Sequence, residues 1–189
     1  MAESFAKKEI EIDLNQVLGS GGFGTVYKGQ WLGLNVAVKK LHLTELGNES
    51  LKDFKREIKI MKCMRFDYVV TYYGACLEPG NYSMVMEYMP NRSLNGILSG
   101  QQELTWNTRW TIASYIAKGL RYLHRQKILH RDLKSHNVLL NDRMEAKLSD
   151  FGLSRIKEET CASTSKFNTP QAVGTVRWMA PELFDIEPI

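Results

Sequence analysis

The chain is poor in cysteine, in long apolar runs and in clustered charge, and each scarcity closes off a class of protein. Its three cysteines, Cys63, Cys76 and Cys161, are odd in number and lack metal-ligand spacing. A disulfide framework and a zinc knuckle are therefore excluded, and reduced thiols in a cytosolic protein are expected. No stretch is apolar for long enough to span a bilayer, and residues 1–13 are charged where a signal peptide would be apolar. The net charge of +4 is spread along the chain, with no basic stripe that would suit nucleic acid or an anionic membrane. The expectation is a soluble, cytoplasmic protein with neither of those partners. What is there in ordinary measure is core: 43% hydrophobic and 24% charged residues are globular values, and 189 residues make one domain or two small lobes.

The most informative stretch is His130-Arg131-Asp132-Leu133-Lys134-Ser135-His136-Asn137, followed after a short apolar segment and a turn by Asp150-Phe151-Gly152. It places two carboxylates, one carboxamide and one ammonium at the ends of short extended segments. Oxygen donors in such positions suit a hard divalent cation such as magnesium, which keeps part of its water shell and accepts substrate phosphates as further ligands. The reading is an ATP–magnesium phosphoryl-transfer site. It requires phosphate-binding backbone and positive charge elsewhere in the chain.

Both are upstream. Ile10, Ile12 and Leu14 alternate with polar residues and run into Gly19-Ser20-Gly21-Gly22-Phe23-Gly24. A dinucleotide-binding glycine motif opens a helix; here the β-branched and aromatic Thr25-Val26-Tyr27-Lys28-Gly29-Gln30-Trp31 favours a strand. A second strand follows over Leu34 to Leu41, with Val36, Val38 and Leu41 on the core side. Strand, glycine turn and strand make a hairpin lid whose backbone can approach phosphates because no Cβ intervenes. Lys39 lies on the second strand. Leu51, Phe54, Ile58 and Met61 recur at helical steps, so residues 50–64 read as an amphipathic helix. Glu57 on it has no basic neighbour three or four residues away. Two readings stay open for it: a solvated helix carboxylate, or the partner that holds Lys39 toward phosphates.

Tyr68 to Gly74 and Tyr82 to Tyr88 read as strands joined through the turn Glu78-Pro79-Gly80-Asn81. Five strands and one helix would complete an N-terminal lobe, with residues 86–91 as a connector in which Pro90 ends the strand. Ser93 can cap a helix over Leu94 to Leu98. From Thr105 a long helix carries Trp106, Trp110, Ala113, Ile116, Ala117, Leu120, Leu123 and His124 at helical spacing, its aromatics assigned to the core. Val138-Leu139-Leu140 and Ala146-Lys147-Leu148 form a hairpin around Asn141-Asp142, presenting Asn137 and Asp150 at its ends.

In order, the segments GSGGFGTV (19–26), VAVK (36–39), Glu57, MEYM (86–89), HRDLKSHN (130–137), DFG (150–152) and APE (180–182) resemble the motifs of the eukaryotic-type protein kinase family. The resemblance runs from about Glu11 to Glu182. It implies an α+β, two-lobe kinase-like fold: a leader over 1–10, an N-lobe over 11–88 with a five-stranded antiparallel sheet and one helix, and an incomplete helical C-lobe over 89–189. It implies that Gly19, Gly21 and Gly24 cover the phosphates of ATP and that Lys39, held by Glu57, binds them. Asp132 would accept or orient the substrate hydroxyl proton, Lys134 would neutralise charge near the transferred phosphoryl, and Asn137 and Asp150 would hold Mg2+. Val26, Ala37 and Leu139 would sandwich the adenine, with Met86 at the back of the pocket and Glu87 and Met89 offering backbone bonds to the base.

Lys134 in DLKSHN and Thr175 in GTVRWMAPE resemble serine/threonine kinases, and the latter ending resembles the tyrosine-kinase-like group. The implied activity is transfer of the ATP γ-phosphate to Ser/Thr hydroxyls of protein substrates in signalling. Between Gly152 and Ala172 lie Ser154, Thr160, Ser163, Thr164, Ser165 and Thr169. They read as a surface loop, with activation by phosphorylation within 160–169 and pairing of that phosphate with Arg131. Two departures stand out. Arg65-Phe66-Asp67-Tyr68 replaces the His-Pro-Asn of many kinases and touches no catalytic group. The family's further C-lobe helices do not follow Glu182 here, so the long helix is expected to expose an apolar patch and to need those helices or a partner chain. The alternative function is accordingly a nucleotide-binding regulatory module with little catalysis.

Overall fold

The computed structural model of the chain describes residues 3–4, 10–21, 24–42, 48–100, 103–151, 154–156 and 175–181. Five antiparallel strands form the first half: β2 (Ile10–Gly21), β3 (Gly24–Trp31), β4 (Leu34–Leu41), β5 (Tyr72–Cys76) and β6 (Ser83–Glu87). They lie in the order β5-β6-β4-β3-β2. The two-residue strand β1 (Glu3–Ser4) adds to the free edge, parallel to β5 through Glu3↔Gly74 and Ser4↔Ala75. Part of the segment expected to be a leader therefore belongs to the sheet; two residues are too few to show a period.

Central strand β4 is buried on both faces. Val36 and Val38, fully buried, meet Val85 with Ile10, Ile12, Trp31 and Tyr73 packed around them. Burying such a side chain contributes about 1.5–3 kcal/mol. Leu41 lies at the opposite parity and joins the larger core with Phe54, Ile58 and Met61 of α1 (Asn48–Cys63). It is core, but on the face opposite Val36 and Val38, not on one core side shared by all three as expected. Leu14 also departs from its expected face. The register shifts between Asp13 and Val17, where Asp13 accepts from the Asn15 N–H and the Gln16 side chain, and the irregularity leaves Leu14 60% exposed.

The turn after β5 forms as its sequence dictates: the Asn81 N–H donates to the Glu78 carbonyl, and Gly80 takes φ +84°. The extended run before β5 behaves differently. Its first residues bond not to the sheet but to the second half of the molecule: Leu148 N–H donates to Tyr68 O and Val70 N–H to Leu148 O.

The second half contains α2 (Leu94–Ser99), α3 (Trp106–Arg125), β7 (Ile128–Leu129), the hairpin β8 (Val138–Leu140) and β9 (Ala146–Leu148), and β10 (Arg155–Ile156) paired antiparallel with β7. Ser93 and Thr105 cap the two helices, accepting from the Gly96 and Thr108 N–H groups. α3 buries Ile112, Gly119 and Leu123. A Cβ at Gly119 would come within 2.9 Å of Leu148 Cδ1 and 3.0 Å of Tyr68 O, so any side chain there would push the Leu148 side chain and the Tyr68 backbone aside. Trp106 and Trp110 are not core: they are 84% and 75% exposed. The helix carries two apolar stripes, and the one through Ile112 and Leu123 faces the hairpin. The exposed patch expected on this helix is there.

Candidate active site

Lys39 on β4 and Glu57 on α1 meet across the face of the sheet. The Lys39 Nζ donates to both carboxylate oxygens of Glu57 at 2.9 Å and to Asp150 Oδ1 at 3.3 Å. Glu57 is only 5% exposed, which excludes the solvated-helix reading. Burial works against the ammonium, but the negative charges of Glu57 and Asp150 outweigh it and hold the Lys39 pKa above the ordinary lysine range. Strand pairing puts Val26 and Met84 opposite Lys39, and Lys28 and Met86 opposite Ala37. Val26, Ala37 and Met86 thus share one face of the sheet with Lys39.

The glycines divide into two kinds. A Cβ at Gly24 would collide with the Lys40 carbonyl at 2.2 Å, so the hairpin itself demands that glycine. A Cβ at Gly19 or Gly21 would meet nothing within 4 Å. Folding does not dictate those two glycines; a ligand lying close to the backbone would. Gly22 and Phe23 lie outside the described residues.

Below the sheet, the turn 130–137 and the end of β9 are knitted by hydrogen bonds. The Ser149 N–H and Oγ both donate to the Asn137 carbonyl, at 2.9 and 3.0 Å. His130 accepts the Asp132 N–H at Nδ1 and places Nε2 3.0 Å from the Ser149 carbonyl, which fixes the neutral tautomer with the proton on Nε2. Burial pushes its pKa down, and its ring lies against Phe151 at 5.0 Å. Two non-glycine residues here take left-handed backbone, Arg131 (φ +65°) and Asp150 (φ +61°). Such strain persists only where neighbours hold it, and it gathers at functional sites.

Asp132 is 8% exposed and fully engaged. Asn137 Nδ2 donates to its backbone carbonyl at 2.8 Å and to Oδ2 at 3.0 Å, and Lys134 Nζ lies 2.8 Å from Oδ2. Burial alone would raise its pKa; the bonds from Lys134, Thr175 and Asn137 prevail and lower it, so the group stays a carboxylate. Thr175 closes the circuit, donating to Asp132 Oδ1 and accepting from Lys134 Nζ, both at 2.7 Å. Sequence reading had used Thr175 only for substrate class. Its signal was present in GTVRWMAPE, but its reach to Asp132 was not legible along the chain.

The segments that carry the two expected metal ligands are joined by the bonds from Ser149 to the Asn137 carbonyl. The Asn137 amide donates to Asp132 through Nδ2, which turns Oδ1 to offer a cation, and the Asp150 side chain is 48% exposed. Among the described residues no group of three or more His, Cys, Asp or Glu could hold a metal. Two hard oxygen donors fit a magnesium ion that takes its remaining ligands from water and phosphate.

Glu87 has a role beyond its backbone. Its carboxylate receives both 2.8 Å bonds of Lys147 on β9, and the Thr71 N–H and hydroxyl bond to Oε2 at 3.1 and 2.8 Å. Those bonds outweigh its partial burial and lower its pKa. Leu139 lies opposite Lys147 on the hairpin, and Met89 is buried. Ser154, expected among the loop hydroxyls, is instead fully buried and donates to the His130 carbonyl at 3.0 Å. The stretch 157–174, with the expected phosphorylation segment, lies outside the described residues, as do Gly152 and Glu182.

A family model described as the protein kinase domain matches residues 12–188. The chain belongs to the protein kinase domain family. Its fold is the α+β kinase arrangement described above, five antiparallel strands with one helix over a helical part. Among similar proteins, serine/threonine-protein kinase CTR1 of Arabidopsis thaliana is 39% identical over 94% of this chain and 22% of its own length. The probable serine/threonine-protein kinase drkA of Dictyostelium discoideum is 40% identical over 92% of this chain and 27% of its own. A putative G-type lectin S-receptor-like serine/threonine-protein kinase of A. thaliana is 43% identical over 87% and 20%. The kinase domain described here thus spans about a fifth to a quarter of these relatives.

Proposed function

We propose that this kinase domain is a serine/threonine protein kinase, transferring the γ-phosphate of ATP to hydroxyl groups of protein substrates with Mg2+ as cofactor. The observation that carries the reading is the convergence of Asp132, Lys134, Asn137 and Thr175 in one hydrogen-bonded circuit. The names of the relatives support the substrate class. The intact Lys39–Glu57 pair favours turnover over a binding module without catalysis.

In this reading Lys39, oriented by Glu57, holds the nucleotide phosphates beneath Gly19 and Gly21. Val26, Ala37, Met86 and Leu139 enclose the base, with backbone groups of Glu87 and Met89 on its edge. Asn137 and Asp150 hold the magnesium ion, which supplies neutralisation of phosphate charge when bound. Asp132 accepts a hydrogen bond from the substrate hydroxyl. As the hydroxyl oxygen forms its bond to the γ-phosphorus and the bond to the ADP oxygen breaks, the proton passes to Asp132. A carboxylate of lowered pKa is a weak base, so its larger contribution is orientation. Lys134 offsets charge on the phosphoryl in transit. A cytoplasmic, signalling setting belongs to the same proposal and rests on the free thiols of Cys63 and Cys76.

The test is phosphotransfer from γ-labelled ATP to a peptide array, for wild type and Asp132→Asn. Label on Ser and Thr that Asp132→Asn abolishes supports the proposal. Label on Tyr alone, or none from wild type, overturns it.

A further inference from the structure

Beyond the last register shift in β2, between Val17 and Gly19, the tip of the glycine hairpin is a ladder of three pairs: Gly19↔Val26, Ser20↔Thr25 and Gly21↔Gly24. The first and last pairs contain glycine and so have no side-chain contact across the strands; the middle pair carries it. Ser20 Oγ lies 3.1 Å from Thr25 Oγ1, which in turn lies 2.8 Å from Nε2 of His42, the residue after β4. Thr25 is opposite Lys40, so these side chains stand on the outer face of the sheet with Val36 and Val38, away from Lys39. Thr25 is buried, whereas Ser20 and His42 are exposed. A hydroxyl has one proton, so Thr25 donates to one neighbour and accepts from the other.

We propose that Thr25 and His42 are positioning residues for nucleotide binding: their hydroxyl–imidazole relay pins Ser20, and with it Gly19 and Gly21 on either side, to the sheet. Strand β2 is at the edge and pairs with β3 alone. The register shift separates residues 19–21 from the regular part of that pairing. At the same level β3 is itself tied to β4, through Thr25↔Lys40 and Val26↔Lys39. The relay follows the same route in side chains, from the edge strand across β3 to the end of β4. Without it the edge is held by main-chain bonds of a glycine-rich segment, whose backbone has the most freedom to lose on ordering. A lid that the ligand must order binds it less tightly than a lid ordered beforehand. Because the relay lies on the face away from Lys39, it acts through the glycines and not by touching the ligand.

The proposal rests on reading the glycine hairpin as the cover of the phosphates, but its first measurement needs no nucleotide. Hydrogen exchange of the ligand-free protein, read by mass spectrometry on the peptide that carries residues 19–21, reports opening of the edge. Thr25→Val keeps the branched shape and removes both bonds. It is expected to speed that exchange about two- to tenfold, the ratio to which one net hydrogen bond corresponds. Ser20→Ala and His42→Phe, both at exposed positions, should shift the exchange in the same direction, and Thr25→Ser should exchange as wild type does. In phosphotransfer the KM for ATP should rise by a similar factor in Thr25→Val and recover in Thr25→Ser, with the KM for peptide unchanged. A general loss of stability would not separate the two constants. Wild-type exchange in Thr25→Val or His42→Phe, Thr25→Ser behaving as Thr25→Val, or an ATP KM that stays constant or rises together with the peptide KM, overturns the proposal. A wild type without phosphotransfer would count against the proposed function alone, since the exchange still decides whether the relay orders the hairpin.

Discussion

Thr175 donates a 2.7 Å hydrogen bond to the Asp132 carboxylate across 43 residues of chain, and its oxygen receives Lys134 at the same distance. The hydroxyl therefore sets both the orientation of the carboxylate and the position of the ammonium. Thr175→Val keeps the shape and removes both bonds. It is expected to lower kcat about 10- to 100-fold, the range that small misplacements of a reacting group produce. Thr175→Ser should retain most of the rate. Steady-state kinetics with one peptide substrate distinguish them; equal rates for Val and Ser would show that the hydroxyl is idle.

Lys147 ties the last residue of β6 to the hairpin that carries Leu139. Both partners of the Lys147–Glu87 pair keep some solvent contact, 14% and 22%, so the pair is worth less than a buried one. Lys147→Met should cost about 1 kcal/mol of stability and shift the melting temperature down by about 2–4 °C. Lys147→Arg should restore the loss. Thermal melts of the three proteins check this, and a Met variant as stable as wild type would contradict it.

His130 is buried in its neutral form, with its pKa depressed from the usual 6.5. The unfolded chain binds the proton more readily, so the unfolded state gains as pH falls. The stability that neutral His130 contributes is fully present above about pH 6.5 and is lost as the pH falls through its folded pKa. Thermal midpoints measured from pH 7.5 to 5 should therefore fall for wild type. They should fall less for His130→Phe, which removes the titrating ring at the cost of a lower midpoint at neutral pH. Parallel curves would mean that His130 does not govern this limb.

Local chemistry made most elements legible. β-branched runs marked β3 and β4, Ser93 and Thr105 announced their helices, and the glycine at position 80 placed its turn. What failed were choices between two faces or two partners. The helical period of α3 fits a stripe through Trp106 and Trp110 as well as one through Ile112 and Leu123, and only the hairpin decides between them. Tyr68 lies in a turn closed by the Val69 N–H on the Phe66 carbonyl, and Val69 and Val70 then bridge to β9 rather than to the sheet, a partner far along the chain. Leu14 is turned outward by Asp13, a side-chain-to-backbone competition that no alternation reveals. At the site, Lys39, Glu57, Asp132, Asn137 and Asp150 could be named because their motifs are contiguous or ordered. Thr175 could not be given its contacts, since it acts on residues from another element.

The central claim is that Asn137 and Asp150 hold a magnesium ion against the phosphates of ATP. The most direct measurement is an ATP titration of wild type and Asp150→Asn by calorimetry, once with Mg2+ and once with EDTA. The account predicts that Mg2+ tightens ATP binding to wild type and that Asp150→Asn loses most of this gain. Wild-type affinity that is the same with and without Mg2+, or an Asp150→Asn variant that keeps the full gain, would contradict it.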